Sequence, residues 1–592
     1  MIGFRQKNCL PGVVVGVLLA VFLTACTTLQ PAAPPASEKT APAPYQQPGS
    51  EAAEPQPVAD SGAGEQLSSS LLYDILLGEI AGQRGHLDVS VGAYVKAARH
   101  SRDARVAERA LKIAVYAKNQ ELALEAARRW VELAPDNKEA RQSLAALALR
   151  SGHEDEALAQ IEYLIQRGEE APNQTYQALL GLLVREPDKQ QTLALMEKLV
   201  ARHPEDPDAH FAYARLATHA ESWEVAGREV DTALRLRPDW VPALVLRAQI
   251  QFRQGKKQLA HEQMRAALER MPGNMELRAA YARLLVDLDD LDGARRQYER
   301  LVKKQPDNGQ VVYSLALLSL EAGKLDAAER HFRHLLKLGY QVQQAYYYLG
   351  AIAEERNDIE GATEWYNRVG KGDHWLEVQI RLAKLEADSG KVKDARERLH
   401  RLRRVQPQHA QRLLLVEGDI LSSIDWHEEA FTLYSQYLDI HPDDADVLYA
   451  RALVAERLDR LDIAEQDLLR ILKADPDNAR ALNALGYTLA DRTDRYQEAL
   501  LYIQQAMEKT PDDAAVIDSM GWVQFRLGNL EKAREYLQRA YAMSKDAEIA
   551  AHLGEVLWTM GHKQAARRVW DEARRKTPGN RILEDTVRRL AH

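Results

Sequence analysis

Residues 481–487, with the sequence ALNALGY, contain the pattern of small and apolar residues that decides the fold of this chain. Ala499, Ala506 and Pro511 follow, and the set recurs with changes at intervals of about 34 residues. The proline is the easiest member to follow. Its copies are Pro135, Pro204, Pro238, Pro272, Pro306, Pro407, Pro442, Pro476, Pro511 and Pro578. A period of this length predicts one supersecondary unit copied many times, with binding surfaces rather than a single catalytic pocket.

Two series of small residues keep the same period, and small residues on both helices of a pair allow close approach of their backbones. Alanines twelve positions before the prolines are Ala123, Ala157, Ala226, Ala260, Ala294, Ala328, Ala362, Ala395, Ala430, Ala464, Ala499, Ala533 and Ala566. Twenty-four positions before lie, among others, Gly78, Ala145, Ala214, Gly350, Gly418, Gly486, Gly521 and Gly554. Ser90 and Thr192 interrupt the alanine series. The sequence predicts about fifteen helix pairs.

The residues around each proline predict where one helix ends and the next begins. Proline ends the second helix because it lacks an N–H and clashes with the preceding turn. Asp or Asn then follows in several copies, and its side-chain oxygen can cap the next helix. These copies are Pro135-Asp136-Asn137, Pro306-Asp307-Asn308, Pro442-Asp443-Asp444, Pro476-Asp477-Asn478 and Pro511-Asp512-Asp513.

This pattern resembles the tetratricopeptide repeat. The resemblance rests on residues 481–511 and on Leu553, Gly554, Gly561, Ala566, Trp570, Ala573 and Pro578, and it covers roughly residues 69–578. It implies an all-α fold, a tetratricopeptide-repeat α-solenoid that winds as a right-handed superhelix of about fifteen helix pairs. A C-terminal capping helix is expected from about residue 580, so residues 67–592 are assigned to the solenoid.

The resemblance also implies a groove that binds proteins, lined by the first helix of each pair. The groove positions lie three before, one after and four after the small residue. They include Phe211, Val245, Phe252, Tyr313, Leu320, Tyr347, Tyr449, Tyr487, Trp522, Phe525 and Trp558. Large aromatic side chains are favoured at protein interfaces, although Phe525 and Trp558 can also pack on the neighbouring unit. The charged positions Arg215, Arg253, Lys384 and Asp419 are mixed in sign, which favours a protein client over a polyanion.

The N-terminal residues predict export and lipid anchoring. Arg5 and Lys7 precede an apolar stretch, residues 13–23, that is short for a membrane span, so residues 1–25 are predicted to be a signal peptide. The stretch ends in Leu23-Thr24-Ala25-Cys26, which resembles the lipobox of bacterial lipoproteins. Cys26 would be the only cysteine left after cleavage. An ordinary signal peptide with an incidental cysteine is the alternative.

The resemblance to lipoproteins also indicates which membrane would hold the lipid anchor. Thr27, rather than Asp, follows the cysteine, which by family resemblance favours the outer membrane, with the protein facing the periplasm. Residues 26–66, counted from the acylated Cys26, are rich in Pro and Ala and are predicted to be a disordered tether.

The sequence contains few residues in patterns that indicate catalysis or metal binding. It contains no His-Glu-x-x-His helix, no Gly-rich phosphate loop and no Gly-x-Ser-x-Gly elbow. His331 and His334 are three apart but have no third ligand, and the acidic run 287–292 lacks calcium-loop spacing and predicts a turn. A net charge of −9 gives no reason to expect nucleic acid. We predict a protein with no catalytic residues, no metal and no cofactor.

A second candidate surface lies in the first predicted helix. Its apolar residues recur at spacings of three and four, and they are Leu67, Leu71, Leu72, Ile75, Leu76 and Ile80. The last helix is instead polar, with Arg581, Glu584, Asp585, Arg588 and Arg589. Either the first stripe docks a partner or it packs on the second helix of its own pair.

Taken together, the lipobox, the tether and the number of repeats resemble the outer-membrane tetratricopeptide lipoproteins that are adaptors of periplasmic carboxyl-terminal processing proteases. The resemblance implies three contacts: the protease, its cell-wall hydrolase clients, and the membrane through the N-terminal lipid. Similar repeats serve pilus assembly, secretion and polysaccharide export, so an assembly scaffold for an envelope machine is the alternative.

Overall fold

The computed structural model describes residues 68–167 and 172–591, apart from the side chains of residues 172 and 173. In these residues the chain forms 31 α-helices and one short 3₁₀ helix, Pro407–His409, without any β-strand. Successive helices form fifteen pairs, and one further helix follows them. The predicted all-α solenoid of about fifteen helix pairs with a C-terminal capping helix is confirmed.

The pairs are numbered so that odd labels denote first helices and even labels denote second helices. The first helices are α1 (Ser69–Gln83), α3 (Ala104–Tyr116), α5 (Lys138–Arg150), α7 (Pro172–Leu183), α9 (Pro207–His219), α11 (Val241–Arg253), α13 (Met275–Asp287), α15 (Gly309–Glu321), α17 (Val342–Glu355), α19 (Trp375–Asp388), α21 (Ala410–Ser423), α23 (Ala445–Arg457), α25 (Ala479–Arg492), α27 (Ala514–Arg526) and α29 (Ala547–Thr559). The second helices are α2 (Leu87–His100), α4 (Gln120–Leu133), α6 (Glu154–Arg167), α8 (Lys189–Arg202), α10 (Trp223–Leu236), α12 (Lys257–Arg270), α14 (Leu291–Lys304), α16 (Leu325–Leu338), α18 (Ile359–Tyr366), α20 (Val392–Val405), α22 (His427–Leu438), α24 (Leu461–Ala474), α26 (Tyr496–Lys509), α28 (Leu530–Met543) and α30 (Lys563–Lys576). The last helix is α31 (Arg581–Ala591).

The polar residues after the prolines cap the first helices as the sequence predicts. Asn137, Asn478 and Asp513 precede α5, α25 and α27. Their side-chain oxygens accept hydrogen bonds from the backbone N–H groups of residues 140, 481 and 515, at 2.9, 3.1 and 2.8 Å. Each such cap satisfies one of the free donors at a helix start and contributes about 1 kcal/mol.

The small residues of the repeat are required by the large side chains opposite them. A Cβ atom on Gly554 would overlap the indole of Trp570, and one on Gly418 would overlap the phenol of Tyr434. Both aromatic side chains are fully buried between the helices of their pairs. The glycine period therefore marks where a first helix gives way to a large residue of the second helix.

The two positions that break the alanine series are accommodated without loss of the helix pair. The Ser90 side chain is buried, and its hydroxyl donates a hydrogen bond to the carbonyl oxygen of Gly78 at 2.7 Å. Thr192 is also buried, and its hydroxyl donates to the carbonyl oxygen of Lys189 at 2.9 Å. Because each buried hydroxyl has a partner, neither substitution carries the penalty of an unsatisfied polar group.

The ninth pair is less regular than the sequence predicts. Its second helix, α18, has only eight residues and ends at Tyr366. Residues 367–374 then connect it to α19 without a long helix. Tyr366 packs under Gly350, where an added Cβ would come within 2.5 Å of its ring. This irregular connection brings His374 beside the first helix α17.

The described helices fall into two compact units, which we call the N-terminal unit, up to Ala322, and the C-terminal unit, from Gly323 onward. The N-terminal unit contains α1–α15, and the C-terminal unit contains α16–α31. Among the described helices, none has the length and apolar character needed to cross a membrane.

Candidate protein-binding surfaces

Three first helices of the C-terminal unit, α25, α27 and α29, share a polar and aromatic face. Trp522 of α27 stacks on His552 of α29, with ring centroids 4.2 Å apart and planes 23° apart. The indole N–H of Trp522 donates a hydrogen bond to Oδ1 of Asp491, on α25, at 3.0 Å. Trp522 therefore connects the helix before it with the helix after it.

Tyr487 of α25 reaches past α27 to α29. Its hydroxyl oxygen lies 3.4 Å from Oε1 of Glu548 and 3.4 Å from Nε2 of His552. On its other side, His552 lies with Nδ1 2.9 Å from Oδ2 of Asp518. These contacts join first helices that are two pairs apart, and we call the face of α25, α27 and α29 that carries them the inner face.

We call this group of side chains the acidic–aromatic cluster. It consists of Tyr487, Trp522 and His552 together with the carboxylates of Glu456, Asp491, Asp518 and Glu548. Burial, followed by the charges of these four carboxylates, raises the pKa of the Tyr487 phenol well above its ordinary value. The carboxylates are not the only charges here, because the His552 imidazole and the Arg457 guanidinium both interact with Glu548.

The pKa values of His552 and Glu456 in the cluster are raised for different reasons. Burial lowers the pKa of His552, but the adjacent Asp518 and Glu548 carboxylates outweigh it, so the pKa lies above the ordinary value. Burial raises the pKa of Glu456. Oε2 of Glu456 is buried and has no hydrogen-bond partner. The cluster thus contains an imidazole, His552, whose protonated form is favoured, and a buried carboxylate oxygen, Oε2 of Glu456, that accepts no hydrogen bond.

A second aromatic group surrounds Tyr347 of α17, also in the C-terminal unit. The Tyr347 ring stacks on the His374 imidazole at 4.4 Å, with the planes 10° apart. Tyr348 meets Tyr347 edge-on at 5.2 Å, and the Tyr366 ring lies at 6.3 Å. Burial lowers the pKa of His374, which favours a neutral ring in this stack. Tyr347 therefore has its aromatic partners within the chain.

The remaining predicted groove aromatics contact different neighbours. The Tyr449 ring lies under the Arg480 guanidinium, 4.3 Å from the ring centroid. Phe211 packs on Trp240 with centroids 4.5 Å apart, and Lys257 lies 5.3 Å from the Phe252 ring. Of the eight, Tyr313, Tyr347, Tyr487 and Trp522 are buried, and Phe211, Phe252, Tyr449 and Phe525 are half-buried.

Three of these eight aromatics lie near one another: Phe525 lies 5.2 Å from Trp522, and Trp522 and Tyr487 both contact His552. Of the other groove positions, Val245 and Trp558 are half-buried, Leu320 is buried, and Arg215, Arg253, Lys384 and Asp419 are exposed. Whether these residues contact a client stays a prediction.

The first helix, α1, exposes several apolar side chains to the solvent and buries an acidic one. Leu72, Leu76 and Ile80 are 45%, 51% and 48% exposed, whereas Asp74 is buried and forms a salt bridge with Lys96 of α2 at 3.1 Å. Leu71 is buried and Ile75 is half-buried. The predicted stripe is therefore divided: its Leu71 edge packs within the N-terminal unit, and its Leu72–Leu76–Ile80 edge, joined by the exposed Tyr73, faces outward.

Comparisons with known proteins agree with this architecture. Family models described as tetratricopeptide repeat match residues 188–241, 251–318, 313–373, 380–445, 449–514 and 519–581. The chain is 37% identical over 494 residues to a TPR repeat-containing protein of Pseudomonas aeruginosa, and the match covers 82% of each chain. This chain belongs to the tetratricopeptide-repeat family.

Two other similarities are more limited. Over 147 residues the repeat protein is 26% identical to the type IV pilus assembly protein PilF of Pseudomonas aeruginosa, covering 24% of this chain and 58% of PilF. A solved tetratricopeptide repeat protein from Parabacteroides merdae aligns with a TM-score of 0.35 and 16% identity, over 43% of this chain and all of that one. Proteins with this repeat fold are typically non-enzymatic scaffolds that bind other proteins.

Sequence reasoning missed most of the polar residues of the cluster. Asp518 occupies a groove position, three before Gly521, and an inspection of every groove position for charge would have found it. His552 and Glu548 lie at other positions of α29. They join the cluster through contacts with Tyr487, which is 65 residues from His552 and 61 residues from Glu548 in the sequence.

Other sequence predictions concern metals and the N-terminus. In the described part of the chain no group of three or more His, Cys, Asp or Glu side chains could hold a metal ion. The acidic run 287–292 forms the turn between α13 and α14, and Oδ1 of Asp290 caps α14 by accepting a hydrogen bond from the Gly293 N–H at 2.8 Å. Cys26, the predicted signal peptide and the predicted tether lie outside the described residues.

Proposed function

We propose that this protein is a lipid-anchored, non-enzymatic scaffold that binds protein clients on the inner face of its first helices. The acidic–aromatic cluster carries the proposal, because it joins side chains of α23, α25, α27 and α29 on one surface. Tyrosine and tryptophan are enriched among the residues that dominate protein interfaces. The family to which the chain belongs supports the same function.

In the finer form of the proposal, the scaffold delivers cell-wall hydrolases to a periplasmic carboxyl-terminal processing protease. The resemblance of residues 23–26 to a lipobox and the Pro-rich composition of residues 26–66 support it. An adaptor needs separate surfaces for the protease and for the client. The exposed edge of α1 and the acidic–aromatic cluster belong to different units, so they supply two such surfaces.

A second candidate function is assembly of an envelope machine such as a pilus, a secretion system or a polysaccharide exporter. The similarity to PilF favours this candidate. It covers only a quarter of the chain, however, and tetratricopeptide repeats are shared by many functions.

Affinity purification from detergent-solubilised envelopes, followed by mass spectrometry, separates the two candidates. The adaptor proposal expects a serine protease and cell-wall hydrolases with the full-length protein. A parallel purification of a variant lacking residues 67–84 should lose the protease and keep the hydrolases. Recovery of pilus or secretion components in place of a protease would favour the assembly scaffold and contradict the adaptor.

Anchoring at Cys26 has its own test. Cys26→Ser should move the protein from the outer-membrane fraction to the soluble periplasmic fraction, because about 0.8 kcal/mol per buried CH₂ is lost with the acyl chains. Metabolic labelling should show acyl chains on the parent protein only. Outer-membrane fractionation of the variant, with an unlabelled parent, would contradict the lipid anchor.

A further inference from the structure

We infer that the sides of α9, α11 and α13 that carry Arg215, Arg253 and Arg283 form a binding surface for an acidic segment of a protein client. We call this surface the basic face. Arg215 and Arg253 are predicted groove positions, and Arg283 occupies the position of Arg215 two pairs later. The inference deepens the proposed scaffold function and rests on it.

The three arginines belong to successive first helices of the N-terminal unit. On α13, Arg283 and Asp287 are four residues apart and so share one side of the helix. Partial burial raises the pKa of the Asp287 carboxyl, and the nearby charges of Arg253 and Arg283 oppose that rise. Arg253 of α11 therefore lies close to the same side of α13. Arg215, in the register of Arg283, extends the surface to α9, where it is exposed.

The arginines of the basic face are not engaged in ion pairs. Two other arginines of these helices bind toward the second helices: Arg247 lies 3.8 Å from a carboxylate of α10, and Arg278 donates to a glutamine of α14 at 2.7 Å. Arg215 and Arg253, in contrast, are exposed and form no ion pair with any described residue. Arg283 donates only to a carbonyl oxygen of its own helix, at 3.3 Å, within the part of the chain that the structure describes.

Few carboxylates of the chain are available to these arginines. Helices α9, α11 and α13 contain three acidic residues. Asp208 is bound at 2.9 Å to an arginine at the end of α10, and Glu276 lies at the opposite end of α13 from Asp287. The acidic residues of the turns after α9 and α13 form no ion pair with the three arginines, and they are Glu221, Asp289 and Asp290.

Arg150 of α5 shows what an arginine in this register does when a carboxylate is within reach. Arg150 and Arg253 each lie five residues after the small residue of their helix. The Arg150 guanidinium donates to both carboxylate oxygens of Glu186, at 2.7 and 2.8 Å. In the pair that follows Arg253, Leu288 stands at the position of Glu186. Arg253 therefore lacks this internal partner, and a client carboxylate would take its place.

The chemistry of the guanidinium selects the class of ligand. Its planar fork of donors matches a carboxylate with two parallel hydrogen bonds. Neighbouring packed helices are about 8–10 Å apart, and an extended chain advances about 3.3 Å per residue. A segment that crosses α9, α11 and α13 therefore meets a new helix about every three residues. The segment that fits has its Asp or Glu residues at this spacing.

The composition of the surface favours a protein segment over a long polyanion. Phe211 and Phe252 are half-buried groove positions on α9 and α11, so apolar contacts alternate with the arginines. The positive charge ends at α13, because the pKa of Glu321 on α15 is raised by burial and by the charge of Asp289. The net charge of −9 on the whole chain also repels a polyanion that extends beyond the face.

The test uses purified full-length protein and fluorescein-labelled peptides built from the repeat Glu-Ser-Phe, Gln-Ser-Phe or Lys-Ser-Phe. Fluorescence anisotropy should show that the Glu peptide binds at least about tenfold more tightly than the Gln peptide, a difference of about 1.4 kcal/mol. The Lys peptide should bind more weakly than both. Arg215→Gln combined with Arg253→Gln should remove the preference for Glu.

A matched control removes the same charge from the same two pairs. Arg235→Gln combined with Arg265→Gln changes exposed arginines of the second helices α10 and α12, and it should leave the preference unchanged. Reversing the charge, with Arg215→Glu and Arg253→Glu, should make the Lys peptide the tighter ligand. Circular dichroism should match the parent in all three variants, because every substituted side chain is exposed.

Equal affinity of the parent for the Glu and Gln peptides would overturn the inference. So would a preference that persists without Arg215 and Arg253, or one that the control variant loses to the same extent. Binding of phosphatidylglycerol vesicles through these arginines, without a preference for the Glu peptide, would assign the face to a membrane and overturn it as well.

Capture of envelope proteins by the parent separates this failure from failure of the scaffold. If the parent captures clients but shows no preference for the Glu peptide, the basic face is wrong and the scaffold stands. No capture by the parent would contradict the scaffold and, with it, the basic face.

Discussion

The first and last described helices differ in how far they bury their large apolar side chains. Helix α31 buries Leu583 and Val587, and its Arg589 pairs with Glu555 of α29 at 2.6 Å. Helix α1 buries Leu71, Ala81 and Asp74 but exposes Leu72, Leu76 and Ile80. Both helices end a run of described repeats, yet only α31 covers its neighbour with a polar outer face.

We call α31, with its polar outer face, the closed end and α1, with its exposed apolar edge, the open end. Terminal repeats of a solenoid need a polar outer face to remain soluble, and α31 meets that need. The exposed apolar edge of α1 does not meet it and is suited to burial against another protein. We therefore expect substitutions of buried residues near α31 to lower the free energy of unfolding. Substitutions on the exposed edge of α1 should instead weaken binding to a partner.

The closed end should give the largest stability effect. Trp570→Ala removes a fully buried indole that packs against Gly554, and we expect a loss of about 3–5 kcal/mol. Because repeats contact only their neighbours, hydrogen exchange should rise first in α28–α31. Trp426→Ala, at an exposed indole, should have little effect. A uniform rise along both units would show that the repeats do not unfold locally.

The open end should give a large binding effect without a stability effect. Leu72→Glu combined with Leu76→Glu places charges on the exposed edge of α1. Helical content and unfolding should stay within about 0.5 kcal/mol of the parent. Binding of the protease that we propose as partner should weaken by at least about 2 kcal/mol, which is the size of an interface hot spot. Unchanged recruitment by the folded variant would exclude this edge as the docking surface.

Among the described residues each unit contains a buried histidine–carboxylate pair, His210–Glu229 and His552–Asp518, and pH should affect both. The pKa of His210 is raised by its hydrogen bond with Glu229, and that of His552 is raised because Asp518 outweighs the effect of burial. Groups with raised pKa stabilise fully below the unfolded value of about 6.5 and lose this contribution as pH rises through the folded value.

Hydrogen exchange in each unit should therefore accelerate as pH rises above about 6.5, after correction for intrinsic rates. His552→Gln should remove this dependence in the C-terminal unit only, and His210→Gln in the N-terminal unit only. A dependence that persists in the matching variant would assign it to other groups.

The smallest effect is expected inside the first pair. Ser90→Ala replaces the exception with the usual residue of the repeat and removes one hydrogen bond to the Gly78 carbonyl. The expected cost is below about 1 kcal/mol, measured by chemical denaturation, since the carbonyl belongs to a helix and the small volume is kept. A cost above about 2 kcal/mol would mean that the hydroxyl holds α1 to α2.

The regular parts of the fold were predictable because each depends on residues close together in the sequence. The cap at Asn478 is formed with residue 481, and the close approach of Gly554 and Trp570 occurs within one pair. The short helix α18 was not predicted, because the sequence there contains Ala362 in register but no proline to mark the change.

The candidate sites were predictable only in part. The rule for groove positions selected Tyr487 and Trp522 but could not show that His552 joins them. That contact depends on how strongly the row of first helices curves, and the curvature follows from packing rather than from the period. Similarly, the stripe on α1 was visible in the sequence, but not which edge of it α2 covers.

Site-specific photocrosslinking in cells tests the central claim, that two separate surfaces bind two different partners, most directly. A photoreactive residue at position 76 reports on the open edge of α1, one at position 449 reports on the inner face of α23, and one at the exposed Leu501 is the control. The account predicts crosslinks to a protease from position 76, to cell-wall hydrolases from position 449, and to neither from position 501. The same partner at positions 76 and 449, or crosslinks equal to those of the control, would contradict it.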